Sequence, residues 1–374
     1  MMWVLLISAA CFLAYSNGAN DNFKGVATLF GSGTTNYKVA ISWATVTTFL
    51  GSVAAIFLAG TLVKNFSGEG LVPDELIQSP EFSVSIALGA AITVFLATKI
   101  GMPISTTHSL VGALLGCGVM AVGSDFNFSK LGGTFLMPLI VSPLMAAGLS
   151  LLAYIVFRRL RIAFGVSKQT CVCVGNEFIP VSEVVNPDGT LTRQIEVQQT
   201  FRVASENECI DVYQGQFFGI HAQKLLDYAH YLSAGVVSFA RGLNDTPKIV
   251  GLLLVINALD IEWGMIAIAV AIAVGGLLNA RKVGETVSKK ITPMNHGQGF
   301  TANLITGLLV TTASVHGMPV STTHVSVGSI FGIGAITKKA DVPVVFDILL
   351  SWMLTLPVAA VCSAAVYWLI IQLP

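Results

Sequence analysis

An all-α integral membrane protein, with an inverted-topology repeat and broken or re-entrant helices, is the fold class that three observations predict. The first is composition: of 374 residues, 54% are hydrophobic and only 11% charged, where an ordinary soluble domain carries about 25% charged residues. The second is run length. Stretches 41–63, 133–157, 264–279 and 344–373 are nearly free of charge, and about 20 apolar residues cross a bilayer as a helix. The third is duplication. Gly101-Met102-Pro103-Ile104-Ser105-Thr106-Thr107-His108 returns 216 residues later as Gly317-Met318-Pro319-Val320-Ser321-Thr322-Thr323-His324. Gly18-Ala19-Asn20-Asp21 with Lys24 returns as Gly242-Leu243-Asn244-Asp245 with Lys248, at an offset of 224. Two motifs recurring in the same order at nearly one offset mark an internal repeat.

The same composition excludes several classes. A β-barrel would alternate apolar and polar residues, which these runs do not. No basic run is long enough for nucleic acid. The N-terminal apolar stretch lacks a preceding Lys or Arg and leads straight into Asn20-Asp21, so it is expected to be a membrane helix rather than a signal peptide. Cys171 and Cys173 lack zinc-ligand spacing, and no metal is expected there.

In chain order, a helix over 2–16 is expected to break at Asn17–Asp21, where polar and small residues interrupt it. A small-residue stretch, 25–35, leads to a long helix ending near 63, and helices follow over 84–98, 105–122 and 133–157. Residues 158–218 change character: short Val/Ile-rich pieces such as 196–203, with the turn signal Asn186-Pro187-Asp188-Gly189, predict a soluble insert with β-strands. The second half predicts helices over 221–240, broken at 241–247, then 249–259, 262–279, 302–314, a helix to 336 and a last crossing over 344–373. The expected total is about 10–12 membrane helices. The predicted domains are a first membrane repeat (1–157), a cytoplasmic soluble insert (158–218) and a second, inverted repeat (219–374).

Loop charge carries the inversion. Loop 64–81 sets Lys64 against Glu69, Asp74, Glu75 and Glu81, a balance of −3. Its counterpart 281–296 sets Arg281, Lys282, Lys289 and Lys290 against Glu285, a balance of +3. Basic loops stay in the cytoplasm, so equivalent loops lie on opposite sides, as in many secondary transporters. Arg158, Arg159 and Arg161 put the insert inside by the same rule.

The motifs suit an anion and a cation. Pro103 fits the junction of two half-helices. Ser105, Thr106 and Thr107 then sit at a helix N-terminus, where unpaired N–H groups, the helix dipole and three hydroxyls can hold a small oxyanion. Ser321, Thr322 and Thr323 repeat the arrangement. Asn20 with Asp21, and Asn244 with Asp245, offer amide and carboxylate oxygens for Na⁺ or another hard cation, or a carboxyl to carry H⁺. A carboxylate can also accept a hydrogen bond from protonated phosphate, which sulfate cannot offer near neutral pH. Lys24 and Lys248 either balance the aspartates or meet the anion; His108 and His324 are packed hydrogen-bonding residues or substrate contacts. Asn279, Arg281 and Glu285 are candidates for a gate or for an ordinary cytoplasmic interface.

The paired Gly-x-Asn-Asp motifs, each with a lysine three residues on, resemble the signature of the inorganic phosphate transporter (PiT) family, and the two Pro-x-Ser-Thr-Thr-His runs resemble that family's hairpin tips. The resemblance covers both membrane halves and not the insert. It implies cation-coupled phosphate uptake, driven by Na⁺ or H⁺. Asn20, Asp21, Asn244 and Asp245 would serve the phosphate and sodium sites, and the six Ser/Thr residues would hold phosphate. The continuations Asn22-Phe23-Lys24 and Thr246-Pro247-Lys248 depart from the family's commoner Val-Ala-Asn-Ala and leave the coupling ion open.

The resulting expectation is a multi-pass protein of the cell membrane, surrounded by lipid, that imports inorganic phosphate by sodium-coupled symport and alternating access. Proton-coupled phosphate permease, sulfate permease and anion channel are the alternatives. Neither enzymatic chemistry nor a cofactor is expected beyond Na⁺ or H⁺ as coupling ion. The sequence does not show an oligomeric state; pairing into a homodimer is common among membrane transporters.

Overall fold

The computed structural model describes residues 2–185, 187, 191–256 and 260–372. The first half holds α1 (Met2–Asp21), α2 (Ala27–Gly31), α3 (Tyr37–Leu58), α4 (Gly60–Phe66), α5 (Asp74–Ile77), α6 (Pro80–Ile100), α7 (Thr106–Val122), α8 (Phe128–Lys130) and α9 (Met137–Ala163). The middle carries β1 (Thr170–Val185), β2 (Leu191–Ser205), α10 (Glu206–Val212) and β3 (Phe217–His221). The second half holds α11 (Ala222–Val250), α12 (Ile261–Asn279), α13 (Arg281–Glu285), α14 (His296–Val315), α15 (Thr322–Thr337) and α16 (Val342–Ile371). Packing divides the chain into two compact units: Met1–Tyr154 with His230–Pro374, and Ile155–Ala229.

Among the described residues, seven helical stretches are long and apolar enough to cross a membrane: Met2–Gly31, Tyr37–Leu58, Pro80–Ile100, Thr106–Asp125, Phe128–Ala163, Ile261–Asn279 and Val342–Ile371. The remaining long helices, α11, α14 and α15, carry the polar motifs of the second half. The chain is a polytopic, multi-pass membrane protein. Its outward faces stay apolar, with Leu144 on α9 and Met353 and Val361 on α16 well exposed, the inverse of a water-soluble surface. Within the large unit α1 packs on α6 and α12, α12 on α3, and α16 on α6 and α7.

Helix breaks fall at different places from those the sequence suggests. α1 runs through Asn17 to Asp21 and gives way only at the 3-10 turn Asn22–Val26. α11 runs unbroken through Arg241–Pro247 and yields at the 3-10 turn Gly251–Leu253. The reason is the same in both. Polar side chains interrupt an apolar pattern without breaking the helix when neighbouring helices satisfy them, and α11 also carries Pro247, which lacks an N–H, inside its last turn. Of the expected 249–259 helix, 249–250 end α11, and 257–259 lie outside the described residues.

In the smaller unit, β1 pairs antiparallel with both β2 and β3, in the order β2-β1-β3. Of the expected turn Asn186–Gly189, only Pro187 lies within the described residues. Ser205 and Glu208 form a capping box at the start of α10, and the Ser205 backbone N–H lowers the Glu208 carboxyl from its ordinary pKa. Cys173 and Cys209 form a disulfide, a pairing the cysteine spacing did not suggest, and Cys171 stays a buried free thiol whose pKa burial raises.

Candidate functional site

The repeated Gly-Met-Pro runs make two helical hairpins. α6 stops because Gly101 adopts φ 82°, and the Met102 N–H returns to Ala97 O at 3.0 Å. α14 stops in the same way: Gly317 adopts φ 69° and Met318 N–H returns to Ala313 O at 2.9 Å. This is the left-handed helix end that glycine permits. Pro103 and Pro319 lie in the extended tips rather than in a first helical turn. Ser105 caps α7, its Oγ accepting from His108 N at 3.1 Å, and Ser321 caps α15, its Oγ accepting from His324 N at 3.2 Å. The first-turn amides of Thr106, Thr107, Thr322 and Thr323 meet no acceptor among the described residues, as helix N-termini require.

The two tips clasp each other. Thr107 Oγ1 donates to Val320 O at 3.2 Å, and Thr323 Oγ1 donates to Ile104 O at 3.0 Å. The His108 and His324 rings lie 4.4 Å apart between them. His324 stacks on Trp352 at 3.8 Å, and Trp352 Nε1 donates to Pro103 O at 3.1 Å. His324 Nδ1 lies 3.2 Å from Leu139 O and must be the N–H nitrogen, since a carbonyl only accepts. Both histidines therefore sit in the hairpin junction.

The Asn-Asp-Lys motifs pack against this clasp. Asn20 Nδ2 donates to Thr98 Oγ1 (2.9 Å) and Met102 O (3.0 Å), bracing α1 to the first hairpin. Asn244 Nδ2 donates to Val320 O (3.1 Å), and its Oδ1 accepts from Ser314 Oγ (3.2 Å), bracing α11 to the second. Asp21 Oδ2 accepts from Thr106 Oγ1 (3.0 Å) and Asn17 Nδ2 (3.2 Å), while Oδ1 accepts from Lys24. Asp245 Oδ2 accepts from Asn17 Nδ2 at 3.2 Å and pairs with Arg241 Nε at 3.6 Å, while Oδ1 lies 3.4 Å from Lys248 Nζ. Lys24 reaches Thr323 on the opposite hairpin, and Lys248 reaches Thr107, each at 2.7 Å.

Two residues at the centre were not singled out as site residues by sequence reasoning. Asn17 bridges the two carboxylates, and Arg241 donates to Asn17 Oδ1 (2.5 Å) and Asn22 Oδ1 (2.9 Å). The signal existed, because the offset of 224 sets Arg241 on Asn17, and an arginine inside an apolar helix is costly unless it has a task. Arg241 is 1% exposed, Lys24 2% and Lys248 1%, against Asp21 at 1% and Asp245 at 3%. Three cations thus face two carboxylates in a buried cluster. Four free helix-terminal amides and one excess positive charge are the chemistry that binds an oxyanion. Arg281 and Glu285, by contrast, form an exposed pair at 3.0 Å, and Asn279 bonds the Tyr15 hydroxyl.

Residues 17–363 match the model of the phosphate transporter family. A Pyrococcus horikoshii protein assigned as a phosphate permease is 28% identical, with 98% of this chain and 97% of that protein aligned. A Rhizobium meliloti protein assigned as a low-affinity inorganic phosphate transporter is 26% identical, over 97% of this chain and 95% of its own. A solved structure titled a sodium-dependent phosphate transporter superposes with a TM-score of 0.76, covering 100% of both chains at 23% identity, and so shares the fold.

Proposed function

The chain belongs to the phosphate transporter family, and from that premise we propose that it imports inorganic phosphate across the cell membrane as a cation-coupled secondary transporter working by alternating access. The single observation that carries this reading is the clasp. Two helix N-termini with free first-turn amides meet beside a buried cluster holding one more cation than carboxylate. In this reading Ser105 and Ser321 hold phosphate through their hydroxyls, and Thr106, Thr107, Thr322 and Thr323 through their first-turn amides, with Arg241 supplying the excess charge. Asp21 and Asp245 accept the proton of a protonated phosphate, which distinguishes it from sulfate. The repeats 1–157 and 219–374 act as inverted halves, and movement of the hairpins relative to α1 and α11 opens the site to each side in turn. Transport breaks no covalent bond, so no nucleophile or general base is required.

Two coupling ions come into question. Sodium has the support of the solved neighbour, a sodium-dependent phosphate transporter. A proton has the support of one observation here: Lys24 and Lys248 already stand against the carboxylates that a sodium ion would use. The test is uptake of radiolabelled phosphate into proteoliposomes holding the purified full-length chain, under an imposed Na⁺ or H⁺ gradient, with sulfate as competitor. Concentrative uptake that depends on a gradient and resists sulfate is the expected result. Uptake that never exceeds electrochemical equilibrium and ignores both gradients would mean an anion channel.

A further inference from the structure

Each lysine of the duplicated motif ends inside a cage of oxygens. Lys24 Nζ donates to Asn20 Oδ1 (2.9 Å), Ile104 O (2.8 Å) and Thr323 Oγ1 (2.7 Å), and contacts Asp21 Oδ1. Lys248 Nζ donates to Thr107 Oγ1 (2.7 Å) and Val320 O (2.7 Å), and lies 3.4 Å from Asp245 Oδ1. Carboxylate, carbonyl, amide and hydroxyl oxygens are the ligands a hard metal cation takes. A lysine ammonium is itself a compact point charge with three donors, and it meets the same oxygens from within.

We propose that Lys24 and Lys248 are tethered cations, occupying the oxygen cages at Asp21 and Asp245 that a coupling Na⁺ would otherwise fill, so that phosphate transport by this chain is independent of sodium. The inference rests on the phosphate reading and decides between its two coupling ions. Three features carry it. Each cage joins both halves, Lys24 bonding Ile104 and Thr323, and Lys248 bonding Thr107 and Val320. The tethered charge therefore links the two tips, as a bound ion would, without having to be captured from solution. The arrangement occurs in both halves, so neither aspartate is left to a free cation. Finally, the cluster already holds Arg241 in excess of its two carboxylates. A sodium ion added there would meet like charge at short range in a dry site, whereas a phosphate monoanion would neutralise the excess. Because a tethered ammonium does not cross the membrane, the coupling ion that remains is the proton, taken up together with phosphate.

The experiment uses the full-length protein in proteoliposomes under an inward proton gradient. Initial rates of ³²P-phosphate uptake in Na⁺, K⁺ and choline media are expected to agree within about 2-fold, with no ²²Na⁺ accumulating, whereas a coupled ion shifts the rate by about 10-fold or more. Saturable sodium stimulation of that size, or ²²Na⁺ co-uptake, in the unaltered protein overturns the proposal. Lys24→Ala empties one cage and is expected to acquire sodium dependence, its uptake in Na⁺ exceeding that in choline by about 5-fold or more. A folded Lys24→Ala protein indifferent to sodium also overturns it. If Lys24→Ala does not fold, Lys248→Ala is measured in its place, and the unaltered protein alone remains able to refute the idea. If no preparation moves phosphate under any gradient, it is the phosphate reading that fails, and the tethered-cation proposal is then read from thermal unfolding. Sodium over choline raising Tm in the alanine variant alone supports it; a rise in the unaltered protein, or in neither, overturns it.

Discussion

The two halves of the membrane region share a scaffold and differ in charge. Ser105 and Ser321 cap their helices with nearly identical backbone angles, φ −99° with ψ 116° and φ −100° with ψ 117°. The hairpin tips exchange equivalent Thr-to-carbonyl bonds, and each lysine crosses to the opposite hairpin. Within the paired motifs the charge differs at one pair of positions. Where the first half has Asn17, the second has Arg241. Thr106 donates to Asp21 at 3.0 Å, while its counterpart Thr322 makes no side-chain hydrogen bond among the described residues. Asp21 is therefore balanced by Lys24 and neutral donors, and Asp245 by two cations, Lys248 and Arg241. Duplication supplies two helix N-termini with free first-turn amides, and divergence at a single position supplies the net positive charge.

Replacing Arg241 by Asn makes the halves alike and is the strongest way to break that comparison. The cluster would lose its excess charge, and Asn17 Oδ1 and Asn22 Oδ1 their donor. A hydrogen bond to a charged group contributes about 1.5–3 kcal/mol, so the KM for phosphate is expected to rise about 10–100-fold, each 1.4 kcal/mol being roughly a factor of ten. Concentration-dependent uptake measures it; an unchanged KM would mean the anion does not respond to Arg241. Next in size is Asp21→Asn, which keeps the side chain's shape and removes its charge. The expected result is phosphate uptake reduced about 10-fold, together with weaker rejection of sulfate in the competition assay. Asp245→Asn leaves Arg241 and Lys248 without their carboxylate and should lower thermal stability more than Asp21→Asn does, since a buried charge left unpaired costs about 3–5 kcal/mol. Should the variant that still excludes sulfate and transports phosphate normally be Asp21→Asn, the proton-acceptor role of that carboxylate fails.

Much of this was legible in the chain because repeats announce themselves. The duplicated Pro-x-Ser-Thr-Thr-His strings marked the hairpin tips, and long uncharged runs marked the membrane helices. What stayed illegible depends on contacts between distant segments. Asn17 and Asp21 looked like a helix break because local pattern cannot show that Thr106 and Asp245 stand ready as partners. Arg241 read as part of an interruption in the second half because its partner Asn17 is 224 residues away in sequence. Lys24 and Lys248 left two readings open, pairing with the aspartates or meeting the anion, because reach to the opposite hairpin is a property of the fold. The disulfide partner of Cys173 lies 36 residues on, beyond any short spacing rule.

The smallest expected effect is also the sharpest test of likeness between the halves. Ser105 Oγ and Ser321 Oγ each accept one backbone N–H, at 3.1 and 3.2 Å, and each keeps its hydroxyl hydrogen for an anion. Loss of such a cap costs about 1 kcal/mol, so Ser105→Ala and Ser321→Ala should each lower Tm by the same few degrees. Loss of the hydroxyl donor should add a rise in phosphate KM of up to about 10-fold, the span of a neutral hydrogen bond worth roughly 0.5–1.5 kcal/mol. Because the two serines share their backbone geometry, the two variants should match in both readouts. A Tm loss without any change in KM would confine the serines to capping and leave phosphate to the first-turn amides. A KM rise in one variant alone would mean that the charge asymmetry created by Arg241 extends to where phosphate sits, drawing it toward one hairpin rather than holding it evenly between the two.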